Sequence, residues 1–371
     1  MLLSRVADRL YWAARYIERA EDTARLVRAH GELMADLPAH VTTRWEPLVT
    51  VVGSDAQFER SLDGHRSQSR SQSQSRSQSQ SQSQSQSQSQ SHGGGSTQLP
   101  ADPRLGEGTE MAVASFLVSD RSNANSVISC VIAARENLRT TRDTVPRDGW
   151  RTLNDLYLYV STEADRGRDR RVRERFLNRV IADSRKLDGV LATAMTHDEA
   201  YVMWRLGRAL ERANMTTRVL GVRAAEVLSA PHAVIGSNGG GVVIDDGADE
   251  LDGAHGEIQW MGVLRSVQGL QMYSRAVRGP IEGPSVVRFL LEHDRFPRAV
   301  RALLREIRRA LAELPDPGVP LDAVDHVEAV LRESASSSTD GAALDDAMDS
   351  LQVAIATLDR RITDRYLQVG P

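Results

Sequence analysis

Lysine is almost missing from this sequence. Of the 46 lysine-plus-arginine positions in 371 residues only Lys186 is lysine, which leaves 45 arginines. No G-x-x-x-x-G-K-[ST] segment exists, which excludes a phosphate-loop NTPase, and Schiff-base chemistry would have to rest on Lys186 alone. The single cysteine, Cys130, excludes an internal disulfide and any multi-cysteine metal site. Its neighbours Val127, Ile128, Val131 and Ile132 mark it as a core cysteine rather than a reactive thiol. A net charge of −4 gives no strongly basic face for nucleic acid. Long apolar runs are missing too. Arg5, Asp8, Arg9 and Arg15 interrupt the amino-terminal stretch, so neither a signal peptide nor a membrane helix is expected, and the expected location is cytoplasmic. The sequence has no H-E-x-x-H, G-x-G-x-x-G or G-x-S-x-G, and no cofactor or metal is expected.

What is present is helical periodicity broken by low-complexity stretches. Ser67 to Ser91 alternates serine with glutamine, interrupted only by Arg70 and Arg76, and offers no apolar surface to offset the entropy of ordering. Residues 60–108 are therefore expected to be a disordered insertion in a single domain spanning 1–371. Residues 230–256, with Gly239 to Gly241 and the acidic run Asp245 to Asp252, are expected to be a flexible Gly/Asp-rich loop, and residues 334–341 a third break. Elsewhere the pattern predicts helices. Leu3, Val6, Leu10, Ala13, Ile17, Ala20, Ala24 and Val27 alternate spacings of three and four, one face of a helix that would run about 45 Å over thirty residues.

Further helices are predicted over about Asp120–Thr144, from Trp150, and over about Asp169–Met195. Another starts at a Thr196–Glu199 capping box and runs to Leu228. The last group covers Glu257–Val277, Pro284–Leu291, Pro297–Leu314, Leu321–Arg332 and Ala342–Leu367. No segment alternates with period two, so the predicted class is all-α, a bundle of long antiparallel helices with short connections.

The first and fifth of these helices share a motif. Arg15, Glu18, Arg19, Ala20, Thr23 and Arg25 are matched, 193 positions later, by Arg208, Glu211, Arg212, Ala213, Thr216 and Arg218. An aromatic precedes each copy, Tyr11 and Trp204, and the apolar stripe shifts with the motif. Two equivalent helices facing a common axis would explain this internal duplication, whether by descent or by convergent need. An exposed helix pair would place a base four residues after the acid. Glu18 has Asp22 there and Glu211 has Met215, so each glutamate is expected to find its partner on another helix or on a ligand. Glu21 with Arg25 does fit the ordinary intrahelical pattern. A structural inter-helix network, a ligand or catalytic site and a solvated face all remain open on these residues.

Weaker features surround the motif. Polar residues Ser119 to Ser126 suit either capping by Ser119 or Asp120 or an anion at a helix start. Arg135, Glu136, Asn137, Arg139 and Arg142 form a polar run placed to face the repeated stripe. His197-Asp198 and His293-Asp294 read as caps, since neither has a second ligand at helical spacing. Arg166 to Arg175 reads as a solvated helix start, with acids interleaved and no aromatic before Phe176.

MLLSRVADRLYWAARYIERAEDTARL, the Ser122–Asn137 segment running into AARENLRTTRD, WRTLN at Trp150, HDEAYVMWRLGRALERANMTTRVL and FLLEHDRFPRAV together resemble the alpha-E domain family of bacterial and archaeal all-helical proteins. The resemblance covers nearly the whole chain outside the Ser-Gln tract. Glu18, Glu21, Glu136 and Glu211, with Arg15, Arg19, Arg121, Arg135, Arg208 and Arg212, occupy the family's motif positions. The Ser-Gln tract and the Asn123-Ala124-Asn125 variation of a small-residue turn depart from it. The resemblance implies work beside a circularly permuted ATP-grasp ligase and a transglutaminase-like peptidase in amide ligation or peptide modification.

Two functions follow as expectations. One is an accessory scaffold that docks such a partner and holds substrate at the Glu/Arg stripe, through Arg15, Arg19, Arg25, Arg121, Arg135, Arg208, Arg212 and Arg218. The other is an enzyme with Glu18, Glu211 or Glu136 as catalytic candidates, a motif glutamate acting as general base and Arg15 or Arg208 steadying an anion. A nucleic-acid-binding or purely structural bundle ranks behind them.

Overall fold

A computed structural model describes residues 4–37, 44–63, 103–229, 248–336 and 341–368. Among them there is no strand. The chain opens with α1 (Ser4–Asp36), followed by α2 (Pro47–Val52), α3 (55–63), α4 (Pro103–Val118), α5 (Val127–Arg139), α6 (Arg147–Glu163) and α7 (Arg170–Ala194). It continues with α8 (Glu199–Ser229), α9 (Ala248–Ser266), α10 (Leu270–Ala276), α11 (Gly283–Glu292), α12 (Val300–Ala312), α13 (Gly318–Ser336) and α14 (Gly341–Ile362), the last ending in a π turn over Thr363–Leu367.

The all-α expectation is met, and several boundaries move for local reasons. Residues 120–126 are not helical. Asp120 Oδ1 accepts from the Ser122 amide at 2.8 Å and Asn123 Oδ1 from the Asn125 amide at 3.0 Å, so short polar side chains take the bonds a helix would need. Ser126, rather than Ser119 or Asp120, caps α5 by accepting from the Ser129 amide at 3.3 Å. Asp198 heads α8, accepting from the Ala200 amide at 3.0 Å where Thr196 was expected to act. The predicted helix over Glu257–Val277 breaks between α9 and α10, where Gln268 takes a positive φ of 55°. Residues 60–63 and 103–108 are helical, as are 248–256, so helix reaches into the ends of the expected insertion and loop. The rest of both, 64–102 and 230–247, lies outside the described residues, as does 337–340.

The helices form two halves of the same plan. In the first, α1 packs along α5 and α7, and α6 packs on both α5 and α7. In the second, α8 packs along α12 and α14, and α13 packs on both α12 and α14. The residue pairs give directions. Arg9 meets Asn137 and Arg19 meets Asn125, so α1 and α5 run antiparallel. Arg205 reaches Glu306 and Thr216 reaches Arg298, so α8 is antiparallel to the α12 segment in the same way.

The two long helices lie side by side in the middle, and their contacts advance together: Ala14 with Gly207, Arg15 with Glu211, and Glu18 with Arg212. Gly207 of α8 and its equivalent Ala14 of α1 meet at their crossing. A pseudo-two-fold axis therefore runs between α1 and α8. These two are parallel, since each begins its own half, while their neighbours are antiparallel as a bundle with short connections requires. The stripe Leu10, Ala13, Ile17, Ala20, Ala24 and Val27 is buried, as are Met203, Leu206, Leu210, Ala213 and Leu220. At about 25 cal/mol per Å² of apolar surface removed from water, this continuous core supplies the main driving force.

Candidate functional site

The repeated motif lies at the interface of the halves, and its charges are buried. Glu18 and Glu211 are each 2% exposed. Glu18 accepts from Arg212 Nε at 2.7 Å, and Glu211 accepts from Arg19 Nε at 2.6 Å and Nη2 at 3.0 Å. Each Glu-Arg dipeptide thus gives its carboxylate to the opposite helix and receives the opposite guanidinium, a reciprocal exchange that the parallel register makes possible. Arg15 adds a bond to Glu211 at 2.9 Å. An unpaired carboxylate here would be very costly, and the crossed arginines remove that cost.

The exchange extends one turn back along both helices. Arg15 reaches Asp359 of α14 at 2.5 Å, and the Tyr11 hydroxyl donates to the same carboxylate. In the other half Arg208 pairs with Asp188 of α7, to which the Trp204 indole donates at 3.4 Å. Tyr11 matches Trp204, Arg15 matches Arg208, and Asp188 and Asp359, 171 positions apart, hold the same place on equivalent helices.

One turn forward lies a denser cluster. Arg298, in the loop before α12, donates to Glu18 and Asp22 at 2.9 Å each and to Glu21 at 3.3 Å. Arg25 donates to Glu21 at 2.9 Å and to Asp22, while its Nε donates to the Ser266 carbonyl at 2.6 Å. Arg185 of α7 reaches Glu21 at 3.1 Å. Asp22 Oδ2 is buried with no hydrogen-bond partner.

These surroundings set the protonation states. Burial alone would raise the Glu18 carboxyl, but Arg212 and Arg298 outweigh it and hold it well below its ordinary 4.5. Burial likewise acts against Glu211, and Arg19 and Arg15 keep it below its usual value. Asp22 goes the other way. Burial, aided by the neighbouring Glu18 and Glu21 charges, pushes it up to about 6 against the pull of Arg25 and Arg298. Burial and the adjacent Arg212 bring Arg208 down to about 10.

Of the residues singled out from sequence, the structure brings together Arg15, Glu18, Arg19, Glu21, Arg25, Arg208, Glu211, Arg212 and Arg218. It leaves Arg121, Arg135 and Glu136 elsewhere. Arg121 is exposed. Glu136 pairs with Arg135 and Arg139, each at 2.8 Å, on the outside of α5. Arg135 also donates to Asn154 of α6 at 3.0 Å and lies over the Tyr157 ring. Of that polar run, Asn137 touches α1 through Arg9, and the rest does not face the stripe. Arg173 also departs from a solvated helix start: it is buried and pairs with Glu110 of α4 at 2.7 Å. Of the two His-Asp pairs, Asp198 does cap α8, whereas His293 Nδ1 accepts from the Phe296 amide at 2.9 Å in a loop turn, and α12 begins only at Val300 after Ala299. Cys130 is buried, and burial pushes its thiol up to about 12.

Sequence reasoning missed Arg298, Asp188, Asp359 and Arg185. Arg298 carried a detectable signal. The 120–126 and 293–299 loops have similar turn patterns before equivalent helices, and Asn125, which accepts from Arg19 at 2.8 Å, stands where Arg298 stands. The difference in residue type hid the match.

Among the described residues no group of three or more His, Cys, Asp or Glu side chains is arranged to hold a metal, and no helix is long and apolar enough to cross a membrane. No curated protein and no solved structure matches the chain. A family model described as a predicted alpha-helical domain with a conserved ER motif matches residues 2–367. The two Glu-Arg dipeptides that exchange partners across the axis, Glu18-Arg19 and Glu211-Arg212, fit those words.

Proposed function

The chain belongs to the Alpha-E family, and from that premise we propose that it is a non-catalytic helical component that docks a partner enzyme. The partner is of the kind the family resemblance implies, an ATP-grasp ligase working with a transglutaminase-like peptidase in amide ligation or peptide modification. The observation that carries the non-catalytic reading is the saturation of both motif glutamates. A general base needs an accessible carboxylate with a proton affinity near the working pH. Glu18 and Glu211 are buried, bonded to arginines and held below their ordinary range. Their role is to lock α1 to α8. The near-total lack of lysine and the missing phosphate loop support assigning nucleotide activation to the partner. Crossed arginines on a rigid parallel pair support a scaffold whose outer faces are fixed by its core.

The single changes Glu18→Gln and Glu211→Gln test this with the full chain and a reconstituted ligase. Each is expected to cost about 3 kcal/mol of stability by leaving buried guanidinium charge uncompensated, while ligation persists in the folded protein. Unchanged stability with loss of ligation contradicts the reading, and turnover by the purified chain without any partner overturns it.

A further inference from the structure

The two halves of the charge network are not equally filled. In the first half Arg25 is closed by Glu21, four residues before it, and by Asp22, three residues before it, with Arg185 of α7 against Glu21. The equivalent positions in the second half hold Arg218, Asn214, Met215 and Ala356. The two arginines begin alike. Each donates to the last carbonyl of a neighbouring helix, Arg25 to Ser266 of α9 at 2.6 Å and Arg218 to Val52 of α2 at 3.2 Å. There the likeness ends. The remaining nitrogens of Arg25 meet two carboxylates, whereas Arg218 has no carboxylate partner among the described residues.

The approach of Arg218 to the α2 terminus is built in. Gly53, with a φ of 72°, ends α2 in the left-handed region, and a Cβ there would sit 2.7 Å from Arg218 Nη1. Where Glu21 and Arg185 fill the first half, the second has a cleft of about 400 Å³ whose lining includes Arg15, Arg19, Asn214, Arg218, Gln352 and Asp359. That volume lies in the lower part of the range that holds small ligands. Arg15 and Arg19 share Glu211 and Asp359, so these five charged groups leave one positive charge, on Arg218. Burial lowers the arginine's affinity for its proton, and Arg19 and Arg15 add to this against the pull of Glu211. A group so placed is short of an anion.

We propose that this cleft binds a carboxylate of a peptide-sized ligand, which takes beside Arg218 the place that Glu21 and Asp22 hold beside Arg25. A guanidinium fork suits a carboxylate in bidentate fashion. One unit of negative charge neutralises the site, which favours a carboxylate over a phosphate dianion. The side-chain amides of Asn214 and Gln352 can both donate and accept, as a peptide backbone requires. The site stands independently of the ligase partnership, because it rests on the unequal filling of the halves and not on the motif glutamates.

Calorimetric titration of the full chain tests it with three probes: acetyl-Ala-Ala with a free carboxyl terminus, the same dipeptide amidated, and acetyl-Asp-Ala amide. Binding of the first assigns a chain terminus and binding of the third an acidic side chain; the amidated dipeptide is expected not to bind. Arg218→Gln is expected to weaken carboxylate binding by at least about tenfold. Failure of both carboxylate probes, equal binding of the amidated probe, or unchanged affinity in Arg218→Gln overturns the proposal. A second variant adds a stability readout to the binding one. Asn214→Glu restores the acid four residues before Arg218, as Glu21 precedes Arg25, and is expected to raise Tm and to weaken binding of the carboxylate probe. A lowered Tm with binding intact overturns the proposal as well.

Discussion

Asp22 and Glu18 are buried one turn apart in one cluster, yet they hold their protons very differently. Glu18 has Arg212 and Arg298 on its carboxylate. Asp22 is paired through Oδ1 alone, with Oδ2 left buried and unbonded. The consequences for stability have opposite signs. A folded-state value below 4.5 makes Glu18, and likewise Glu211, contribute stability that is present above that value and lost as pH falls through the depressed one. Asp22, raised from 3.8 to about 6, contributes stability that is present below 3.8 and lost as pH rises through about 6. The stability of the natural protein minus that of Asp22→Asn is therefore expected to be higher at pH 5 than at pH 8, by roughly 1 kcal/mol. Urea unfolding at the two pH values measures it, and a natural protein that gains on the variant toward pH 8 would contradict the assignment.

At the scale of elements, the close approach of α1 and α8 depends on small residues at the crossing. A Cβ at Gly207 would clash with the Tyr11 carbonyl and press on Ala14. Gly207→Ala is expected to cost about 1–3 kcal/mol despite alanine's better helix propensity, because the helices must separate and the crossed arginines with them. Thermal melting reads this directly, and a stabilised variant would refute the packing.

The long helices were legible, since stripes such as Leu10, Ile17 and Val27 carry the 3.6-residue period, but α2, α3 and α4 were not expected from the sequence. Ends were less so. Ser119 to Ser126 mixes caps and turns in one polar run, and only the bonds of Asp120, Asn123 and Ser126 decide where α5 begins. The break after α9 was hidden for another reason. Gln268 adopts a left-handed conformation one residue before Gly269, so the apparent glycine signal is displaced from the turn.

For the molecule as a whole, the sequence motif shared by α1 and α8 is the visible part of a larger repeat. It could be read because both copies keep their arginines and glutamates at one spacing. The rest could not, because the spacing shortens from 193 to 171 positions between Asp188 and Asp359, and because equivalent loop residues differ, Asn125 against Arg298. That inequality is also what gives the site its direction. The first half is filled by Glu21, Asp22 and Arg185, and the second is left with Arg218 facing a cleft. The motif joins the halves by reciprocal exchange of charge. A double-mutant cycle on Glu18→Gln and Arg212→Gln, followed by urea unfolding, tests it most directly. The double variant is expected to be no less stable than the worse single variant, with a coupling of about 1–3 kcal/mol. Additive losses would show that Glu18 and Arg212 act independently and would contradict it.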